Sequence, residues 1–441
     1  MINALFRWSL LRKFCATVQH EGLAHALEKA RIYTTMIWRG TGRSAVSSIA
    51  SDVPEQGGHY LTGTWRMLAQ SDAFHVTRAP AVQSRRRKIA LIGDLNLPQC
   101  RKYRVEQLAQ FWRGRNVEVV FAHYQDVPRC VHALQDTTHL MEYRLTATAE
   151  TTMYRYEARR LRLPVLYDLD DPLFSVSAYE GYCNMKVVGP ALQAQFVAQA
   201  PGYLDMMNGA DIVSVSTPAL AQHAAFYCPR PIYLRRNFAD QSTLKSGQQA
   251  MALAMKKRAG SAQFRVAFAS GSQGHEADFD VIRDDVIAFL DGADTRVLVL
   301  LGHFDKSRLP AALRARVEVH EFSGYASYLH HLAQTDCAIM PLADDMFNRC
   351  KSAARVLDAA AVGVPAIVGS VSDMAQVVVP ETTGVIADGA GAWCAALNRL
   401  AHDKSATRAM GRAARKAVET RWSGKAMPHM IAPELLDWVQ G

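Results

Sequence analysis

The chain reads as an α/β protein with two Rossmann-like, doubly wound domains and a basic helical extension in front. Three observations carry this reading. Short apolar runs of strand length alternate with helical patterns, once over residues 85–238 and again over 263–425. Such alternation gives parallel sheets with crossover helices. The stretch between them, ADQSTLKSGQQAMALAMKKRAGSA (239–262), has no strand pattern and many small or polar residues, so it is read as a linker. A chain of 441 residues also exceeds what one hydrophobic core usually organises. Two linked domains of this kind are expected to face a cleft, with ligands outside the carboxyl ends of the strands.

Taken in order, residues 1–84 hold one or two helical patterns and then the loop-like SSIASDVPEQGGHY. RRRKIALIGDLNLP gives the first strand and a polar turn. The helix YRVEQLAQFWRGR, the strand VEVVFAH, the helix ATAETTMYRYEARRLRL and the strand PVLYDLD follow. A helix over 191–208, the strand DIVSVS, the helix TPALAQHAAFY and the strand PIYLRRN complete the first domain. After the linker come FRVAFAS, a helix over 279–290, TRVLVLLG, VEVHEF, a helix over 325–334, DCAIMPL, a helix over 351–361, PAIVGS and GVIAD. Closing helices end the second domain, and residues 426–441 are expected to form a helix that returns to the first.

Composition narrows the function classes. Hydrophobic residues make up 49% and charged residues 21%, a balance of folded globular chains rather than disordered ones. No apolar run approaches the roughly 20 residues that span a bilayer. Arg7, Arg12 and Lys13 interrupt the first apolar stretch, which argues against a secretory signal. Eight cysteines stand singly without a CxxC pair, so neither a zinc site nor a disulfide framework is indicated. Reduced cysteines and a cytoplasmic location are expected.

Residues 1–88 carry thirteen cations against five acids, which is eight of the nine net positive charges. A basic segment on a neutral body suits an anionic surface. MINALFRWSLLRKF interleaves Phe6, Trp8, Leu10, Leu11 and Phe14 with three cations, as an interfacial helix on the inner membrane face would. A solvated basic helix packed on the body fits equally. The body lacks a basic and aromatic stacking platform, so nucleic acid is not expected as a partner.

Chemistry concentrates in FNRCKSAARVLDAAAVGVPAIV, residues 347–368. With a helix from about residue 350, Lys351, Arg355 and Asp358 fall at i, i+4 and i+7 on one face. Gly363 ends the helix and Pro365 opens the next strand. A helix N-terminus with two cations makes an anion site suited to diphosphate, and Asp358 could accept from ribose hydroxyls. An ordinary surface ion-pair ladder fits the same spacing.

The segment resembles the donor-binding signature of group 1, family 4-like glycosyltransferases. LDAAAVGVPAIVGS follows that pattern with Asp358 at the second acidic position and Cys350 at the first. Phe347, Asn348, Lys351, Ser352, Arg355 and Asp358 resemble the version found in a bacterial surface-polysaccharide subset. FASGSQGHEADF (268–279) and LPVLYDLDDPLF (163–174) resemble two further stretches of that subset. The resemblance covers about residues 85–425 and implies a GT-B fold and transfer from a nucleotide-diphospho-sugar to a glycan or lipid-linked acceptor. It implies donor contacts from Ser270, Gly271, Ser272, Asn348, Lys351, Ser352, Arg355 and Asp358. His275, Asp170 and Asp171 are the catalytic candidates, and Arg101, Lys102 and Arg104 stand beside the acceptor. Asp168, Asp170 and Asp171 together could also be a metal-binding DxD or a turn cap, but the family works without metal. No cofactor beyond the nucleotide sugar as co-substrate is implied. The usual outcome is retention. Asn237 is read as structural, Gly384 as a position needing positive φ, and Glu381 as a weak contact candidate. A non-catalytic scaffold of a polysaccharide complex and a nucleotide-sugar epimerase are the rival readings.

Overall fold

The structure is a computed structural model that describes residues 8–38, 86–258, 261–271, 275–424 and 429–440. The readings made for residues 1–7 and 39–85, and for Ser272, lie outside the described residues. The chain divides into two compact units. One takes the described residues within 31–177, 195–236 and 431–441, and the other takes those within 1–30, 178–194 and 237–430.

The first unit is built on a six-stranded sheet. Its strands are β1 (Lys88–Gly93), β2 (Glu118–His123), β3 (His139–Tyr143), β4 (Val165–Leu169), β5 (Ile212–Val215) and β6 (Ile232–Leu234). They run in the order β2-β1-β3-β4-β5-β6, and every neighbouring pair is parallel. The chain leaves β1 for β2 on one side and returns to β3 on the other, so the order reverses between β1 and β3. Gly93 is required at that reversal, because a Cβ there would stand 2.9 Å from Tyr143 Cβ. The helix Val127–Gln135 and strand β3 were not foreseen. Glu142 sits in mid-strand and breaks the apolar run, although it is fully buried against Arg155.

The second unit holds β7 (Phe264–Gly271), β8 (Arg296–Gly302), β9 (Val317–His320), β10 (Cys337–Met340), β11 (Ala366–Val368) and β12 (Gly384–Ile386). Their order is β12-β11-β10-β7-β8-β9, again all parallel, with the reversal between β7 and β10. One apolar cluster covers each face of this sheet: Leu357, Val356 and Leu329 on one side, Phe268, Phe279 and Phe289 on the other. Burial of this kind, at about 25 cal/mol per Å² of apolar surface, is the main stabilising term. The two-domain α/β expectation therefore holds, with two parallel six-stranded sheets.

Three expectations change. Residues Gln241–Arg258 form an eighteen-residue helix rather than a bare linker, and Ala250 and Ala254 bury into the core of the second unit. The chain between β4 and β5 also gives residues 178–194 to the second unit, where chain order alone assigns them to the first. Finally, Gly384 lies within β12 and its φ is not positive. Its Cβ would stand 2.5 Å from the Ala366 carbonyl oxygen, so close approach is what excludes a side chain. The left-handed residue of that turn is Glu381, at φ 62°. In the first unit, Ala432 N–H donates to Leu234 and His139 Nε2 lies 3.1 Å from the Trp438 carbonyl oxygen.

Candidate active site

The second unit gathers its polar side chains where the sheet order reverses, at the carboxyl ends of β7 and β10. Ligands of open α/β sheets bind at such reversals. Ser270 lies fully buried next to the end of β7, and Gly271 closes the strand in the left-handed region at φ 69°. Four residues on, His275 precedes the short helix Glu276–Asp280. His275 Nδ1 lies 2.9 Å from Oδ2 of Asp278, which is itself fully buried. Burial lowers the imidazole, Lys351 and Arg355 lower it further, and it comes to about 4. His275, read from residues 268–279, therefore lies within electrostatic reach of Lys351 and Arg355, read together from residues 347–368.

The 347–368 segment is built differently from its expected form. Asp345 caps a four-residue helix, Met346–Arg349, by accepting from Asn348 N–H at 2.8 Å. The chain then leaves helical geometry, and a second helix runs over Ala354–Ala361. Lys351 and Ser352 thus precede the helix instead of sharing a face with Arg355 and Asp358. Ala353 stands at the N-cap and offers no side-chain cap to the first N–H groups. Gly363, at φ 66°, closes the helix: its N–H bonds to Ala360 and that of Val364 to Ala359, the Schellman pattern.

Each side chain has a defined partner. Lys351 Nζ donates to Tyr182 OH at 2.9 Å, and the Tyr182 ring stacks on Phe347 with centroids 4.2 Å apart. Arg355 Nη1 donates to the Ala269 carbonyl at 3.3 Å. Asp358 is nearly buried and accepts from Tyr325 OH at 2.5 Å. Ser352 Oγ accepts from Asn237 Nδ2 at 2.8 Å, which is the structural part Asn237 plays. Asn348 is fully buried and turned inward: its Nδ2 donates to Asp278 Oδ1 at 2.8 Å, so it supports the site from below. Tyr182 and Asn184 were missed by sequence reasoning. They sit in the 178–194 segment, and nothing local marks it as belonging to the second unit.

The carboxyl ends of β1, β3 and β4 gather a second set in the first unit. Asp170 and Asp171 follow β4, and Arg144 follows β3 with φ 55°. A non-glycine residue in that region signals strain held by its surroundings. Arg144 Nη1 stands 3.2 Å from Asp170 Oδ1 and 3.3 Å from Asp171 Oδ2, and Tyr143 OH donates to Asp170 Oδ2 at 3.2 Å. Asp94 follows β1 with His123 Nε2 3.6 Å away. Burial works to raise the Asp94 carboxyl, but His123, the Asn96 N–H and Arg144 outweigh it and the net shift is downward. Arg144 and Tyr143 were also missed, because β3 itself was.

Arg104 does not stand beside an acceptor. It is fully buried and chelates Asp168, Nε to Oδ2 at 3.0 Å and Nη2 to Oδ1 at 2.5 Å. Arg235 grips the same carboxylate from the other side, at 3.1 and 2.5 Å, and Ser214 donates to it as well. Asp168 is therefore structural. Arg101 pairs with Glu106 at 2.7 Å and Lys102 Nζ lies 4.3 Å from the Tyr103 ring centre, both partly exposed.

No family model and no curated protein matches the chain. Solved structures do. Anabaena HepE, crystallised with UDP, is similar over 79% of this chain and 100% of its own, at 13% identity and a TM-score of 0.53. A glycosyltransferase from Rickettsia africae is similar over 80% and 98%, at 11% identity and a TM-score of 0.55. Sucrose-phosphate synthase from Thermosynechococcus elongatus is similar over 77% and 96%, at 16% identity and a TM-score of 0.50. At these identities the likeness is one of fold, and the chain has the GT-B fold with its two Rossmann-like domains.

Proposed function

We propose that the protein is a glycosyltransferase acting on a nucleotide-diphospho-sugar donor, with a glycan or lipid-linked acceptor of the bacterial cell surface. The observation that carries this reading is the convergence of His275, Lys351 and Arg355 beside Gly271, where the order of the second sheet reverses. HepE has been crystallised with UDP and with UDP-glucose, which supports a nucleotide sugar as the ligand class.

In this reading the diphosphate lies against Lys351 and Arg355, with the N–H groups that open the Ala354–Ala361 helix aimed at its oxygens. Asp358, already oriented by Tyr325, receives a ribose hydroxyl. An acceptor hydroxyl oxygen bonds to the anomeric carbon as the bond from that carbon to the diphosphate breaks. The electron pair leaves with the nucleoside diphosphate, whose new charge the two cations stabilise. Asp170 or Asp171 takes the acceptor's proton, and Arg144 keeps both carboxylates oriented. The fixed guanidinium already supplies positive charge to this acid pair, so the reaction is proposed to run without metal; retention is proposed from the family resemblance alone, with the acceptor entering on the face that the diphosphate leaves.

The segment before the sheets supports a location on the inner membrane face. Leu11, Leu23 and Leu27 are half exposed or more on the helices Trp8–Glu21 and Leu23–Trp38, beside the exposed Arg12 and Lys29. Among the described residues no helix is long and apolar enough to cross a membrane. Flotation with phosphatidylglycerol vesicles should require residues 1–84, and equal flotation of the chain lacking them would remove this part.

The experiment for the activity is incubation of the protein with UDP-, GDP- and dTDP-sugars and a cell-envelope lipid extract, read by mass spectrometry. A product heavier by one glycosyl unit, with release of the matching nucleoside diphosphate, is expected. A non-catalytic scaffold is the second reading, favoured by Cys350 at the first acidic position and by the tie of Asp358 to Tyr325. Donor binding without product in every combination would select it.

A further inference from the structure

Asp278 joins three segments of the second unit. Its Oδ2 accepts from Asn184 Nδ2 at 2.8 Å and faces His275 Nδ1 at 2.9 Å. Its Oδ1 accepts from Asn348 Nδ2 at 2.8 Å and from Ala343 N–H at 3.0 Å. Burial works to raise this carboxyl, but the His275 hydrogen bond and the Lys351 charge outweigh it, and the net shift is strongly downward. The group is therefore an ionised, acceptor-only carboxylate.

This fixes the proton in the His275–Asp278 hydrogen bond. A carboxylate holding no proton needs a donor opposite, so the proton sits on Nδ1. The charged groups facing the ring are Asp278, Lys351 and Arg355. With the ring held at about 4, chiefly by burial and then by the two cations, Nε2 carries no proton at neutral pH and presents a lone pair. A diphosphate oxygen at that pH is also an acceptor, and two acceptors do not bond. A sugar hydroxyl is a donor. The surroundings share this polarity: Oδ1 of Asn184 and Oδ1 of Asn348 are buried acceptors with no hydrogen bond.

Resting on the nucleotide-sugar reading above, we propose that Asp278 is a positioning residue that holds the His275 proton on Nδ1, so that Nε2 accepts from a hydroxyl of the donor's glycosyl group. His275 thereby reads the sugar and leaves the diphosphate to Lys351 and Arg355.

Two measurements test this. The first is nitrogen-15 NMR of the histidine rings at neutral pH, with His275 assigned from its loss in His275→Gln. A neutral ring protonated on Nδ1 is expected. Asp278→Asn, whose amide can donate, should move the proton to Nε2. An imidazolium or an Nε2–H ring in the unaltered protein would overturn the proposal, and this readout stands even if Asp278→Asn fails to fold. The second compares calorimetric affinities for UDP with UDP-glucose, GDP with GDP-mannose and dTDP with dTDP-glucose. For the pair that the protein binds, His275→Ala should weaken the nucleotide sugar about 10-fold and leave the diphosphate within about 2-fold. Equal weakening of both would overturn the hydroxyl contact. Absence of all binding would overturn the donor reading and the hydroxyl contact together, while the NMR result would still report on the tautomer.

Discussion

The two sheets solve one problem in opposite ways. Both place charged side chains at the carboxyl ends of strands beside a reversal of strand order. In the first unit the charges satisfy one another: Asp168 lies between Arg104 and Arg235, and Asp170 and Asp171 share Arg144. In the second unit the acids are held largely by neutral donors, with Asp278 taking two amides and a backbone N–H and Asp358 taking a tyrosine hydroxyl. Its cations in turn donate to neutral oxygens, Lys351 to Tyr182 and Arg355 to Ala269. Internal pairing builds a rigid floor. Neutral pairing orients the cations at the end of the sheet, where an anionic ligand needs preorganised positive charge.

The largest effect should come from breaking the floor. Asp168→Ala leaves two buried guanidiniums facing each other and should cost about 3–5 kcal/mol in urea unfolding. Next comes the acid pair. Asp170→Asn should lower turnover about 100-fold or more while the donor dissociation constant stays within about 2-fold. Loss of donor affinity in that variant would erase the division of labour between the units.

How much of this was legible follows from the reach of each contact. The strands showed as apolar runs, except β3, where the buried Glu142 looks like a solvent-facing residue until Arg155 is placed opposite it. The helix Gln241–Arg258 looked like a linker because its polar residues mask the two alanines that pack. Lys351, Arg355 and His275 were candidates through short motifs read with the family resemblance, and the structure brings them within electrostatic reach of one another. Arg104 was misread because a basic residue in a loop looks exposed, and its partner lies 64 residues away. Tyr182 and Asn184 reach Lys351 and Asp278 across 169 and 94 residues, and no local signal encodes that.

A pH titration sharpens the contrast. The His275 ring lies near 4 in the folded protein against 6.5 for an ordinary histidine, so the unfolded chain takes up the proton first. Its contribution is intact above about 6.5 and is lost as pH falls toward 4, by at most about 1.4 kcal/mol per unit. Unfolding of His275→Gln followed over that window should show a shallower slope than the unaltered chain. The smallest effect is expected from Tyr325→Phe, which removes the hydrogen bond to Asp358 and should weaken donor binding by about 1 kcal/mol.

The central claim is that Lys351 and Arg355 hold the donor's diphosphate. Calorimetry of the paired substitution Lys351→Ala with Arg355→Ala against UDP, GDP and dTDP tests it most directly. At least a 100-fold loss of affinity for the diphosphate that the unaltered protein binds, with an unchanged melting temperature, is predicted. Undiminished binding by the doubly substituted protein would contradict the account.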